Sequence, residues 1–281
     1  MAEIEIRKVW ASNLISEFGL IKGFLDQFPI ISMDTEFPGT VFTVKTTALT
    51  KHLLSSLSAA DTYAVMKRNV DALRLIQLGL TLSDPAGALP LLAGRRVGAW
   101  EFNFADFDSA SDLHNPASLA LLRRQGIDFA QNRLAGIDSR SFAVLFKLSG
   151  LHLNRRLAWV TFHGAYDLGF MVKILTGGRL LPSALPEFVE LVDLHFGPRV
   201  YDVKPVARAC GLHGGLEAIG KRMGLERALG RSHQAGSDSL LTMLVFVELM
   251  KRFGKEKQIM KDFNYVFFGL TETLLHYEGV H

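Results

Sequence analysis

The sequence predicts an α/β fold: a mixed sheet flanked by helices. Three observations carry this expectation. β-Compatible runs come early, at 30–37, 73–82 and 99–104. From residue 115 onward helix signals dominate and alternate with short apolar runs at 157–162 and 198–203, the pattern of a sheet with helices packed on it. No repeat, low-complexity tract or linker composition divides residues 1–281, so one domain is expected.

Each element has its own reason. Trp10, Leu14, Ile15, Phe18, Ile21, Phe24, Leu25 and Phe28 recur at helical spacing, which predicts an amphipathic helix over 10–28. Strand 30–37 follows. Ser58-x-x-Asp61 is a capping-type signal for a helix from Ser58 to about Val70. Leu73 to Leu82 reads as a strand, and the Pro/Gly-rich stretch 84–98 reads as a long hairpin loop returning through Ala99–Phe104, so these two strands are joined antiparallel. Asn115-Pro116 places a cap before a proline in the first turn of a helix that stops near Gly126. Another helix runs from about Asp138 to Ser149 and ends at Gly150. Leu157–Phe162 is a short buried strand leading into a helix at 166–176, and 198–203 is a fifth strand. Helices at 204–210, 214–223 and 237–253 complete the chain.

Composition narrows the function classes. Hydrophobic residues make up 48% and charged residues 21%, enough apolar surface for a sizeable core and against wholesale disorder. The net charge of +3 is too small to demonstrate a nucleic-acid partner by itself. If several acids are sequestered on metal ions, the remaining surface is more basic than the total suggests. Cys210 is the only cysteine, which excludes an intrachain disulfide and fits a reducing compartment. The first residues lack the n-region and h-region of a secretory signal, and the apolar run Leu240–Met250 is too short to span a bilayer, so no membrane partner is expected.

The chemistry is carried by three segments. Ile30–Gly39 sets Asp34 and Glu36 two apart at the end of an apolar strand, where both point to one face. Paired carboxylates repel unless a cation lies between them, and hard divalent ions such as Mg²⁺ take oxygen ligands of this kind. Alone, Asp-x-Glu is ordinary on a solvated strand edge. The second segment, Phe162-His-Gly-Ala-Tyr-Asp167, is a strand end running into a helix, with Asp167 in the first turn, where the helix dipole favours an acid. The third, Ser232-His233-Gln-Ala-Gly-Ser-Asp238, is a polar loop before a helix; capping explains Ser237 or Asp238 alone, and a surface position explains His233 alone. Together the order Asp, Glu, Asp, His-x₄-Asp is that of the DEDDh exonucleases. Two divalent ions about 3.5–4 Å apart can clamp a phosphodiester. Four carboxylates would hold them, and a histidine titrating near neutrality can take a proton from the attacking water.

Several stretches resemble the Pop-two/carbon-catabolite-repressor-associated-factor family, the poly(A)-shortening subunits of Not-type deadenylase complexes. They are Met33–Gly39, Asn69–Thr81, Trp100–Phe104, Tyr201-Asp-Val-Lys204 and His233–Thr242. The run Leu75–Asp84 is most similar to land-plant members, and the resemblance covers about residues 7–270. It implies a ribonuclease-H-like fold and a 3′→5′ exoribonuclease that trims poly(A) and releases 5′-AMP. It assigns Asp34, Glu36, Asp167 and Asp238 to two Mg²⁺ or Mn²⁺ ions, and His233 to general-base work. It further implies single-stranded poly(A) RNA as substrate, scaffold and second-nuclease subunits as partners, and a cytoplasmic location with the nucleus as a second site. The departures from the family pattern, at 178–190 and 86–98, are expected to be loops. A DNA-directed exonuclease and a non-hydrolysing scaffold subunit are the alternatives.

Four further features are weighed in the same way. Asp202 is expected to be a helix cap rather than a fifth ligand, and His163 structural rather than a ligand. Phe37 is expected to be a core side chain rather than a base-stacking platform. Gly214-Gly215 is expected to shape a helix junction, because it lacks the GxxxxGK context of a phosphate loop.

Overall fold

The structure, a computed structural model, describes residues 3–43, 58–254 and 261–271. Strands are β1 (Ile4–Val9), β2 (Ile30–Glu36), β3 (Gln77–Ser83), β4 (Leu91–Leu92), β5 (Arg95–Asn103), β6 (Ala158–Thr161) and β7 (Val200–Asp202). Helices are α1 (Leu14–Phe24), α2 (Ala59–Ala72), α3 (Pro116–Arg124), α4 (Phe129–Ala135), α5 (Ser139–Leu148), α6 (Ala165–Leu175), α7 (Leu185–Phe196), α8 (Val203–Ala209), α9 (Leu216–Arg222) and α10 (Ala235–Phe253).

The strands form one mixed sheet in the order β1-β5-β3-β2-β6-β7, with β4 paired to β5. β3 runs antiparallel to both its neighbours, β2 and β5, whereas β6 runs parallel to β2, and β7 parallel to β6. The register sets the two faces. Met33, Leu80 and Trp100 lie across from one another and point into the large apolar core shared with α1, α5, α6 and α7. Asp34, Gly79 and Glu101 form the adjacent row, on the opposite face. α10 crosses that face, and with α8 and α9 it closes a second apolar cluster over β6 and β7.

Gly79 lets α10 come close. A Cβ there would stand 1.9 Å from the carbonyl oxygen of Ala235 and 2.6 Å from the nitrogen of Gly236, so only glycine fits beneath the first turn of the helix. Polar side chains complete the contact. Ser32 donates to the Ser239 carbonyl at 2.7 Å, the Thr81 and Ser239 hydroxyls are 3.1 Å apart, and Gly236 donates to Glu101 at 3.3 Å.

The predicted caps are present: the Ser58 hydroxyl accepts from the Asp61 amide, and Asn115 accepts from Ala117 and Ser118. Other expectations need correction. Residues 178–190 are not all loop, because α7 begins at Leu185 with Pro186 in its first turn and buries Phe188, Val192, His195 and Phe196. The returning hairpin strand starts at Arg95, which shortens the loop expected over 84–98. Leu73–Ile76 precede the strand rather than opening it. The first helix is shorter than 10–28, because the Asn13 side chain accepts from the Trp10 amide in a turn that delays its start to Leu14. β1 was not anticipated; it adds a parallel edge to β5, and Arg7 ties it to the buried Glu17, which also accepts from the Trp100 indole. No described helix is long and apolar enough to cross a membrane.

Candidate active site

β2 and β6 are parallel, so their C-terminal ends open on the same edge of the sheet, the edge where α/β folds assemble ligand sites. β2 delivers Asp34 and Glu36 there. The turn after β6 leads into α6, whose third residue is Asp167, and α10 delivers Asp238 from its fourth position across the Gly79 row. Asp34, Glu36, His233 and Asp238 line one cleft of about 500 Å³. Asp167 sits behind them, buried, and accepts a 2.5 Å hydrogen bond from the Thr35 hydroxyl. Donor atoms of Glu36, His233 and Asp238 all lie within 4.8 Å of one another.

The acids are in electrostatic tension. Burial, then Asp238, Asp167 and Glu36 in turn, push the Asp34 carboxyl well above the usual range, while the Arg227 guanidinium pulls it down. Burial and then the charges of Asp238, Asp167 and Glu101 raise Glu36 likewise. Asp167 is pushed up to about 7, chiefly by burial, against the opposing Thr35 bonds. Several carboxyls that repel in a confined cleft form a donor set suited to hard cations: oxygen ligands whose mutual repulsion a divalent ion relieves. The donor set therefore fits the metal ions expected from the sequence.

Two histidines flank the site in left-handed backbone conformations, His163 at φ 60° and His233 at φ 61°. Each is held by an aspartate. The His233 amide donates to Asp238 at 2.7 Å, and the His163 amide donates to Asp202 at 2.7 Å. Such conformations are costly away from glycine, about 1–3 kcal/mol, and persist where surrounding bonds impose them. The imidazole of His233 is solvent-exposed at the mouth of the cleft.

Asp202 is fully buried and does more than cap α8. Its carboxylate accepts from the amides of His163, Gly164, Lys204 and Phe268. It thus joins the start of α6, the start of α8 and the 261–271 segment, a structural role rather than that of a ligand. Phe37 is a partly buried core side chain, as expected: it stacks on Tyr166 at 5.1 Å and packs against Phe170, and it also lines the cleft. Gly214, at φ 125°, forms the turn before α9, as the junction reading requires.

Arg227 was not anticipated. It donates to Asp238 at 2.7 Å, to Glu217 at 2.9 Å and to the Ser237 hydroxyl at 2.6 Å, tying the loop before His233 to α9 and α10. The run Leu225-Glu-Arg-Ala-Leu-Gly-Arg-Ser offers no local signal that singles out one arginine of two. Glu101 was also missed as a member of the acidic row, although its strand was identified.

No family model matches the chain. The chain is 44% identical over 252 residues to the probable CCR4-associated factor 1 homolog 7 of Arabidopsis thaliana, covering 89% of this chain and 88% of that protein. This chain belongs to the CCR4-associated factor 1 family. Poly(A) ribonuclease pop2 of Schizosaccharomyces pombe is 37% identical over 251 residues, spanning 88% of this chain and 70% of that protein. The structure of S. pombe Pop2p in its Mg²⁺ and Mn²⁺ bound form matches with a TM-score of 0.78 at 36% identity, over 89% of this chain and 93% of that one. Yeast CAF1, co-crystallised with the NOT1 MIF4G domain, matches with a TM-score of 0.69 at 33% identity, over 88% of this chain and 89% of that one. The mixed sheet of this CCR4-associated factor 1 family member, with helices on both faces, is the ribonuclease-H-like architecture that the sequence resemblance implied.

Proposed function

We propose that this protein is a divalent-metal-dependent 3′→5′ exoribonuclease that shortens poly(A) tails and releases 5′-AMP. The observation that carries the reading is the convergence of Asp34, Glu36, Asp167 and Asp238, with His233 beside them, from three separate segments onto one edge of the sheet. The relative named poly(A) ribonuclease pop2 supports the substrate.

Asp34, Glu36, Asp167 and Asp238 would hold two Mg²⁺ or Mn²⁺ ions. Bound there, the pair would supply electrostatic stabilisation to the attacking water oxygen and to the leaving 3′ oxygen. His233, exposed at the mouth, takes the proton from the water that attacks phosphorus as the bond to the 3′ oxygen breaks. The hydrogen bond that the His233 backbone amide donates to Asp238 fixes the backbone that carries the base relative to the carboxylates. Thr35 orients Asp167, and Phe37 offers an aromatic wall on the substrate side of the acids.

A NOT1-type scaffold is the partner that the matching yeast CAF1 complex supports. A second nuclease subunit and residence in a reducing compartment, the cytoplasm with the nucleus as a second site, complete the proposal; the lone Cys210 is in keeping with the latter.

The test is hydrolysis of A-tailed RNA with Mg²⁺ or Mn²⁺, by the parent and by Asp34→Ala. The parent should trim the tail from its 3′ end, and the variant should be inactive. Near-parental turnover by Asp34→Ala would remove the carboxylate assignment.

A further inference from the structure

The cleft continues past the acids. Phe162 and Gly215 line its wall, and beyond them lies a second hollow of about 260 Å³. The two hollows share the 214–215 turn, Gly214 lining the second and Gly215 the first. Lys204, Arg208 and His213 line the second hollow together with Phe268, and no acidic side chain is among its described lining residues. Lys204 bridges the two: its Nζ lies 3.9 Å from the centroid of the Phe268 ring and 5.9 Å from that of Phe162. The position is built rather than incidental, since the buried Asp202 carboxylate holds the amides of both Lys204 and Phe268.

We propose that this hollow is a second nucleotide subsite, which takes the RNA strand on the 5′ side of the bond being cut. The inference rests on the exoribonuclease reading above. Cations interleaved with aromatic rings are what a single-stranded track requires: charge for the phosphates and π faces for the bases. Lys204 supplies a point charge and Arg208 a planar fork, both suited to one backbone phosphate. Phe162, half-buried between the two hollows, is placed to stack on the intervening base. The polarity follows from the chemistry. An enzyme that removes one 3′-terminal nucleotide at a time leaves no phosphodiester on the 3′ side of the scissile bond. Any other phosphate it grips therefore lies 5′ of that bond. A track of two or three cations also agrees with a net charge of only +3.

The experiment compares two substrates and three proteins. ApA contains only the scissile phosphodiester and cannot reach the second hollow, whereas an eight-residue oligoadenylate can. The variants are Lys204→Gln/Arg208→Gln and the single reversal Arg208→Glu, which alters an exposed side chain, with urea midpoints measured beside the kinetics. For the longer RNA, KM should rise about tenfold, the scale of one charge-assisted hydrogen bond lost, with kcat kept. Kinetics on ApA should not move. In a chelator, titration of the longer RNA against salt should show the slope of log K against log salt flattened by about 0.7 in the double variant, one phosphate's share. Parental KM and slope in both variants would overturn the subsite, and so would equal losses on ApA and the longer RNA. A parent that cleaves neither RNA would instead overturn the exoribonuclease reading, and the chelator titration would still decide whether the hollow binds the strand.

Discussion

Gly79→Ala is a one-carbon change 156 positions away in sequence from the helix it should displace, and it tests how the fold builds the site. The added Cβ would lie 1.9 Å from the Ala235 oxygen and 2.2 Å from its carbonyl carbon. Both are backbone atoms in the first turn of α10, so no rotamer change can relieve the contact. The helix start must move away by about 1 Å or more, a strain typical of overpacked cores and worth about 1–3 kcal/mol. Asp238 lies three residues beyond Ala235 and moves with it, away from Glu36 and Asp34. A misplacement of about 1 Å at a catalytic group can cost about 10²-fold in rate. Gly79→Ala should therefore show a lower urea midpoint in chelator, weaker Mn²⁺ binding by calorimetry, and turnover reduced by about 10²-fold. Gly23→Ala is the control. It sits in α1 with nothing within 4 Å of its Cβ, and it should be neutral or stabilising by up to about 1 kcal/mol. If Gly79→Ala keeps parental stability and turnover, α10 does not owe its position to that glycine.

Three more outcomes follow from the same geometry. His233→Ala should slow hydrolysis by about 10²–10⁴-fold while calorimetric metal affinity survives; loss of metal instead would make His233 a ligand. Asp202→Ala deprives four amides of their acceptor, one buried and three partly buried, and the buried one alone costs about 1–3 kcal/mol before relief of the buried charge, so it should lower the urea midpoint. Metal binding lost at unchanged stability would mean that Asp202 ligates. The third concerns pH. Because burial raises Asp167 from 3.8 to about 7, the metal-free protein binds a proton there that the unfolded chain releases, and this contribution to stability is lost as pH rises across that window. In chelator, the parent should lose about 2 kcal/mol more than Asp167→Asn between pH 5 and pH 7. Equal pH dependence in the two proteins would contradict the assignment.

Much of the site was legible because its residues sit on strong local signals. An Asp-x-Glu at a strand end must share a face, and an acid in the first turn of a helix after a strand must lie on the sheet's edge. Hence the faces of Asp34, Glu36 and Asp167 followed from their segments, whereas their joint role, and that of Asp238 and His233, came from the order of the three segments and the family resemblance. What escaped was set by contacts distant in sequence. Arg227 matters because α9 and α10 present Glu217 and Asp238 to it, and nothing in its own neighbours announces that. Asp202 was visible as a cap through Lys204, but the His163, Gly164 and Phe268 amides reach it from other segments. The oversight at α7 was of another kind. Phe188, Val192, His195 and Phe196 follow helical spacing, but the period starts inside the stretch 178–190 that departs from the family pattern. α4 is only seven residues long and buries just Phe129 and Asn132, too little to register as a period.

The central claim is that these acids and His233 form a metal-dependent site that removes adenylates one at a time from a 3′ end. Its most direct test is a time course of the purified protein on RNA ending in an A-tail, with the 5′ end labelled. Mg²⁺ or Mn²⁺ would be present or chelated, and a mixed-sequence RNA and a matched DNA would run alongside. The account predicts a metal-dependent ladder that shortens by single nucleotides through the tail, release of 5′-AMP, and slower loss of the mixed-sequence RNA and the DNA. Internal cleavage, activity undiminished in chelator, or no hydrolysis with either metal would contradict it.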